Sequence, residues 1–176
     1  MRISVFGLGY VGVVTAACLS RDGHTVVGVD NQQVKVDIVN DGKSPVVEDH
    51  VGELIAAAVA SGALRATTDA LEAVRESDMS LVCVGTPSRR NGSLDTDAVV
   101  RVCEEIGAAI AEKNAPHKVV IRSTVLPGTM RGVVIPALRE KAGHVEGLGI
   151  GNNPEFLREA SAVYDYDHPP KIVVGA

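Results

Sequence analysis

Tryptophan is absent from this sequence, and aromatic residues amount to only 3% of it. A core built without large rings has to come from Val, Ile, Leu and Ala, and apolar residues make up 45% of the chain. Only three cysteines occur, Cys18, Cys83 and Cys103. They are too few and too scattered for a disulfide framework, and no CxxC pair suggests zinc; free thiols in a reducing cytoplasm are the simpler reading. The histidines lie far apart and show no metal-ligand spacing, so no metal is expected. Positive charge is in deficit too: the net charge is −5, the pI is near 5.5, and the basic residues do not cluster. Nucleic acid and anionic membrane are therefore poor candidate partners. A phosphorylated ligand survives that exclusion, because glycine loops and helix N-termini bind phosphate without net positive charge. Long hydrophobic runs are missing as well, and no segment reaches the roughly 20 apolar residues of a membrane span. The apolar stretch from Ile3 to Leu19, behind Arg2 and with Thr15-Ala16-Ala17-Cys18 near its end, imitates a secretory or lipoprotein signal. Against that, glycines interrupt it at positions 7, 9 and 12, and the polar turn Arg21-Asp22-Gly23-His24 leads directly into a second strand.

What is present is glycine, 18 residues of it, with abundant aliphatic side chains, a composition suited to a parallel α/β sheet buried on both faces. The length is about that of one domain. Strand and helix patterns alternate from the start. Strands are predicted over 2–6, 25–29, 64–67, 79–84, 118–122, 145–150 and 171–174, and helices over 10–21, 33–40, 48–61, 69–75 and from Asp95 as N-cap to 112. A further helix is expected over 128–141 with a kink at Pro136, and another begins at Glu155. This alternation argues for a Rossmann-type doubly wound, mainly parallel sheet with helices on both faces. The sequence stops directly after a strand without a polar tail, which suggests a piece of a longer protein.

The glycine motif Gly7-Leu8-Gly9-Tyr10-Val11-Gly12 falls between the first strand and the first helix, and Asp30 closes the second strand 18 residues after Gly12. Gly7 would make the tight turn, Gly9 would let backbone approach a pyrophosphate, and Gly12 would let helix and strand pack closely. The helix start then meets the phosphate with free N–H groups and a positive dipole end. Asp30 can accept hydrogen bonds from both adenosine ribose hydroxyls and would repel a 2′-phosphate, which favours NAD over NADP. A glycine-rich turn with a capping aspartate is the bland alternative, but motif, spacing and flanking elements agree on a dinucleotide. FAD shares the fingerprint, and the rest of the chain lacks further signals for it.

Ligands in open α/β sheets sit beyond the carboxyl ends of the strands. Gly85-Thr86-Pro87-Ser88 and Ser123-Thr124 both follow strands, so both should rim one crevice. Thr86 would touch the nicotinamide ribose or pyrophosphate and Thr124 would reach the reacting centre, or both simply cap backbone groups in turns. Glu155 and Glu159 lie four apart, sharing a face if helical. Two such carboxylates can hold a water and a substrate hydroxyl, or raise one pKa toward general-acid use; alternatively they are acidic residues favoured in a first turn. Residue chemistry by itself stops at an NAD-dependent oxidoreductase of unknown substrate.

Several blocks in order carry a resemblance over essentially the whole chain: FGLGYVG from Phe6, GVD from Gly28, GKSPVVE from Gly42, VCVGTPS from Val82, RSTVLPGT from Arg122 and NPEFLREA from Asn153. Together they resemble the nucleotide-sugar 6-dehydrogenases of the UDP-glucose/GDP-mannose dehydrogenase family. GTPSRRNGSLD and STVLPGT look more like the GDP-mannose 6-dehydrogenases, since the second block more often reads STVPVGT in the UDP-glucose enzymes. The resemblance implies oxidation of a sugar C6 alcohol to a carboxylate with two NAD, through a cysteine thiohemiacetal and thioester that water releases. It implies cofactor contacts at Gly7, Gly9, Tyr10, Val11, Gly12, Asp30, Lys35, Thr86 and Thr124. Glu155 would lie near the cofactor and reacting carbon, and Glu159 would contact the nucleotide sugar and manage the hydrolytic water with Thr124. Residues 1–176 then form an N-terminal NAD-binding domain of a longer, cytoplasmic, homo-oligomeric enzyme. The nucleophilic cysteine and substrate-binding lysine and asparagine would lie in a central helix and C-terminal substrate domain, about 250 residues more. GDP-mannose would be the substrate and alginate the polymer served; UDP-glucose, or a non-catalytic NAD-sensing module, is the alternative. One departure is Val47-Glu48-Asp49-His50-Val51, where relatives often read VEPGL, so the following helix is expected to start differently. Cys18, Cys83 and Cys103 all fall within predicted helices or strands, where cysteines are usually small core residues rather than nucleophiles.

Overall fold

The computed structural model describes residues 1–176. Six strands, β1 (Arg2–Phe6), β2 (Thr25–Val29), β3 (Leu64–Thr67), β4 (Met79–Val82), β5 (Lys118–Ile121) and β6 (Gly149–Asn152), form one sheet in the order β3-β2-β1-β4-β5-β6. Every pairing is parallel, and the order is that of the doubly wound dinucleotide fold, whose strand order reverses between β1 and β4. Short Val/Ile-rich strands satisfy this arrangement because both faces of the sheet are covered. One face carries α1 (Tyr10–Arg21), α3 (Val51–Ala60) and α7 (Ala162–Asp167) over a core that includes Val5, Val13, Val14, Ile55 and Leu64. The other carries α4 (Ala70–Glu76), α5 (Asp97–Lys113) and α6 (Ile135–Ala142) over Phe6, Val82, Ile106, Ile110, Ile121 and Leu138. The eight-residue α2 (Gln33–Asn40) follows β2. The signal-like apolar stretch is thus divided between β1 and α1, and no helix is long and apolar enough to cross a membrane.

The register aligns the strand ends that matter. Phe6 pairs with Val29 and Val82, Val29 with Thr67, Val82 with Ile121, and Ile121 with Asn152. The next residue of each strand, Gly7, Asp30, Thr68, Cys83, Arg122 and Asn153, therefore falls on one rim.

Elsewhere the structure departs from the sequence expectation. Three strands are trimmed or shifted, to 79–82, 118–121 and 149–152. The helix expected from Glu48 begins at Val51, because His50 takes a left-handed φ of 65° and interrupts the turn. Thr96, not Asp95, sits at the N-cap of α5; the Asp95 carboxylate instead accepts from the Asp97 amide at 3.0 Å. The helix expected over 128–141 is a π-turn at Met130–Val134 followed by α6, with Pro136 in the first turn of α6. There its missing N–H costs least. The final strand at 171–174 does not form; an antiparallel bridge joins Asn152 and Gly175, and Ile172 and Val174 are exposed.

At the rim opposite the site, a buried polar chain ties β1, β4 and β5 together. Ser77 donates to Ser4 at 3.0 Å, Ser4 and Ser80 are 2.8 Å apart, and Ser80 lies 2.8 Å from His117 Nε2. The Lys113 ammonium, 3.2 Å from Nδ1, can only donate, so Nε2 carries the imidazole proton. Burial and the neighbouring Lys113 charge push the His117 pKa down to about 4, against some help from Asp78. The folded state thus binds fewer protons than the unfolded state below pH 6.5. Stability should be complete above about pH 6.5 and fall by up to about 3 kcal/mol as the pH drops toward 4. Urea melts of the wild type and His117→Gln between pH 4 and 7 check this; parallel pH profiles for the two proteins would refute it.

Candidate functional site

A cleft of about 420 Å³ opens at the carboxyl ends of β1, β2 and β4, where the strand order switches. Gly7, Asp30, Asn31, Gln32 and Lys35 line one side, Thr68 and Ala70 the next, and Ala98, Arg101, Val102 and Glu105 of α5 face them. The glycine turn is folded as its spacing requires. Gly7 has φ of +92°, its N–H donates to the Val29 carbonyl at 2.7 Å, and a Cβ there would meet Val84 at 3.0 Å. A Cβ on Gly12 would fall 1.7 Å from the Gly7 carbonyl oxygen, so helix and turn touch where only hydrogen fits. Gly9 differs: nothing lies within 4 Å of its would-be Cβ, and its φ of −81° is ordinary. The fold itself places no constraint on Gly9, and the space beside its backbone is open. Gly9 is also the N-cap of α1 and has no side chain to satisfy the first N–H groups of the helix. Those groups and the dipole end are available to an anion.

Asp30 is buried and fixed: Oδ2 accepts the Leu8 N–H at 2.8 Å and Oδ1 the Gln32 N–H at 3.0 Å. Lys35 adds an ion pair at 3.3 Å to Oδ2. The acidic residue is thus bonded into the glycine turn and lines the cleft.

The other expected residues separate into two further places. Thr86 donates to the Thr124 carbonyl at 2.8 Å, which joins the turns after β4 and β5 and is the backbone-capping bond of the alternative reading; neither threonine lines the cleft. Glu155 lines a smaller cavity of about 150 Å³ with Arg122, Asn153 and Phe156, and Glu159 is exposed. Their shared helical face does not exist. Residues 153–160 are irregular, and the helix begins only at Ala162. The cause is competition for backbone N–H groups. Glu155 accepts the Leu157 amide at 2.7 Å, Asp165 the Arg158 amide at 2.9 Å, and Glu48 the Ala160 and Ala162 amides at 2.8 and 2.9 Å. The amides of Leu157, Arg158 and Ala160, held by carboxylates, do not build a helical ladder, while that of Ala162 is a first-turn amide of α7 capped by Glu48.

Glu48 is the residue that sequence reasoning passed over. Burial works to raise its pKa, but the hydrogen bonds from Tyr10, Ala162 and Ala160 outweigh that and hold it below the ordinary value. The Tyr10 hydroxyl is pushed up by burial and by Glu48. Hydrogen bonds from Arg158 hold Asp165 well below the usual carboxylate range. Arg101 and Glu105 were legible only as an i,i+4 pair on an amphipathic helix, and nothing local marks which face meets the cleft. All three cysteines are buried, and desolvation raises the thiols of Cys18, Cys83 and Cys103 to about 11, 12 and 12. None is a nucleophile as it stands.

The strand order, the glycine turn and the acidic residue on the neighbouring strand define a dinucleotide-binding domain. Residues 1–176 match the description "UDP-glucose/GDP-mannose dehydrogenase family, NAD binding domain", and the chain belongs to that family. It is 54% identical to a GDP-mannose 6-dehydrogenase of Pseudomonas syringae pv. tomato over 99% of its own length and 40% of that protein's. Its fold superposes on a ternary complex of GDP-mannose dehydrogenase from Pseudomonas aeruginosa with a TM-score of 0.97, at 53% identity, covering 99% of this chain and 41% of that one. A UDP-glucose dehydrogenase from Pyrobaculum islandicum gives a TM-score of 0.95 at 41% identity, over 99% and 40% of the two chains. The chain spans about two fifths of the length of these relatives.

Proposed function

We propose that the protein carrying this chain oxidises the C6 alcohol of GDP-mannose to the carboxylate, and that this domain supplies its NAD site. The observation that carries the substrate class is the 54% identity to a GDP-mannose 6-dehydrogenase, against 41% to a UDP-glucose enzyme of nearly equal structural likeness. NAD, when bound, supplies the hydride acceptor, and the four-electron oxidation consumes two of them.

The amides of Gly9, Tyr10, Val11 and Gly12 hold the pyrophosphate beside Gly7, Asp30 accepts from the adenosine ribose, and Lys35 steadies that carboxylate. Thr86 and Thr124 border the nicotinamide end. Glu155 stands near the reacting carbon, and Glu159 holds the nucleotide sugar and orients the hydrolytic water with Thr124. The free, buried thiols suit a cytoplasmic setting, and the full-length protein is a homo-oligomer in this reading. Its uronate product would serve a polymer such as alginate.

The full-length protein tests the assignment. GDP-mannose should give a kcat/KM at least about tenfold above UDP-glucose, and the reverse order would install the UDP-sugar reading. Because every thiol here is buried, residues 1–176 alone should bind NAD yet release no NADH with either nucleotide sugar. Steady NADH production by this chain would overturn the need for a thiol from elsewhere. A non-catalytic NAD-sensing module, the second reading, is favoured by those same buried thiols. It would gain if the full-length protein also proved inert with both sugars.

A further inference from the structure

Glu48 joins three segments that are remote in sequence. Its Oε2 accepts from the Tyr10 hydroxyl at 2.7 Å and from the Ala160 amide at 2.8 Å, and its Oε1 accepts from the Ala162 amide at 2.9 Å. The single Tyr10 hydroxyl proton also lies within reach of the Arg158 carbonyl, 2.9 Å away. Tyr10 is the first residue of α1, directly after Gly9, so the anchor point is the cofactor loop itself. The anchored segment is exposed at Arg158, Glu159 and Ala160, and Asp165 holds it from the other side by accepting from the Arg158 amide and guanidinium. Ala160 nevertheless holds a left-handed φ of 66°. A non-glycine residue keeps such a conformation only where its surroundings impose it. Here Ala160 is the third residue of a turn closed by the Ser161 N–H on the Arg158 carbonyl at 3.2 Å, and the Glu48 carboxylate holds that turn by gathering the amides on both sides of Ser161.

We propose that Glu48 is a positioning residue: it clamps the Glu155–Glu159 segment to the start of α1 through Tyr10, so that the segment's carboxylates are set relative to bound cofactor. This rests on the assignment of Glu155 and Glu159 made above. It adds a device that works through other residues, since Glu48 lines neither the cleft at the glycine turn nor the smaller cavity beside Glu155. An acid one residue before Asp49-His50, where α3 starts late, is free of helical hydrogen bonding and can reach across to α1.

Glu48→Gln keeps the size of the side chain but leaves one acceptor oxygen for three donors. In the full-length protein its kcat on nucleotide sugar should fall by about 10- to 100-fold. KM for NAD should stay within about threefold, because Asp30 and the glycine turn keep their own bonds. Tyr10→Phe, which removes one bond and no bulk, should lose kcat by less than Glu48→Gln does, again with KM for NAD held. In residues 1–176, hydrogen exchange at the Ala160 and Ala162 amides should quicken in Glu48→Gln while α1 stays protected. Wild-type exchange with wild-type kcat would overturn the clamp, as would a loss of NAD affinity matching the loss of kcat. Glu159→Gln separates the two claims. Retained kcat there, with quickened exchange in Glu48→Gln, overturns the role of Glu159 and leaves the clamp supported.

Discussion

Gly12→Ala is expected to abolish NAD binding and lower stability by about 3 kcal/mol or more, whereas Gly9→Ala is expected to weaken binding strongly with the fold intact. The two glycines sit three residues apart in one loop, yet they are constrained by different things. A methyl group on Gly12 would lie 1.7 Å from the Gly7 carbonyl oxygen and 2.9 Å from its carbon. Backbone cannot yield that far without moving α1 away from β1, and that packing holds Val13 and Val14 in the core. A methyl group on Gly9 meets nothing within 4 Å, and the backbone there suits alanine. Its melting temperature should match the wild type. Its Kd for NAD should rise by about 100-fold, because the methyl group occupies the approach a pyrophosphate needs. Thermal melts and calorimetry on both variants decide the matter. A Gly9→Ala protein that binds NAD normally would show that the loop does not carry the diphosphate.

Asp30→Ala should weaken NAD by about 100-fold, which is two hydrogen bonds to a charged acceptor at about 1.5 kcal/mol each. It should also narrow the preference for NAD over NADP toward unity. Removing the carboxylate removes the repulsion of a 2′-phosphate, and it frees the Lys35 ammonium now paired at 3.3 Å. There is a stability component as well. The Leu8 amide, buried and bonded to Oδ2 at 2.8 Å, loses its acceptor at a cost of about 1–3 kcal/mol. Asp30→Asn keeps an acceptor for one of the two amides, so it should melt nearer the wild type while still losing affinity. Calorimetry with NAD and NADP on both variants provides the check; an unchanged nucleotide ratio would place Asp30 away from the ribose.

The features legible from the sequence were those whose cause is local. Alternating aliphatic runs and glycine breaks located β1, α1, β2, α2 and β3 with their observed boundaries, because short buried strands and their turns are set by neighbouring residues. The glycine turn and Asp30 belong with them. Gly12 answers a contact with Gly7 inside one strand–turn–helix unit, Gly7 has a φ of +92° that its own turn requires, and the spacing to Asp30 is the length of one helix and one strand.

Only the tertiary structure decided the segment from Asn153 to Ala162. Read locally, Glu155 to Glu159 is a plausible first turn. In the folded chain its amides go to Asp165 and to Glu48, the latter more than 100 residues away. The same holds for Arg101 and Glu105 in the cleft wall, and for the tail that bridges to Asn152 instead of adding a strand. A backbone N–H takes whichever acceptor the fold brings nearest. Local pattern settles the outcome where that acceptor is four residues back or on a strand paired through a short connection. It cannot where a distant carboxylate arrives first.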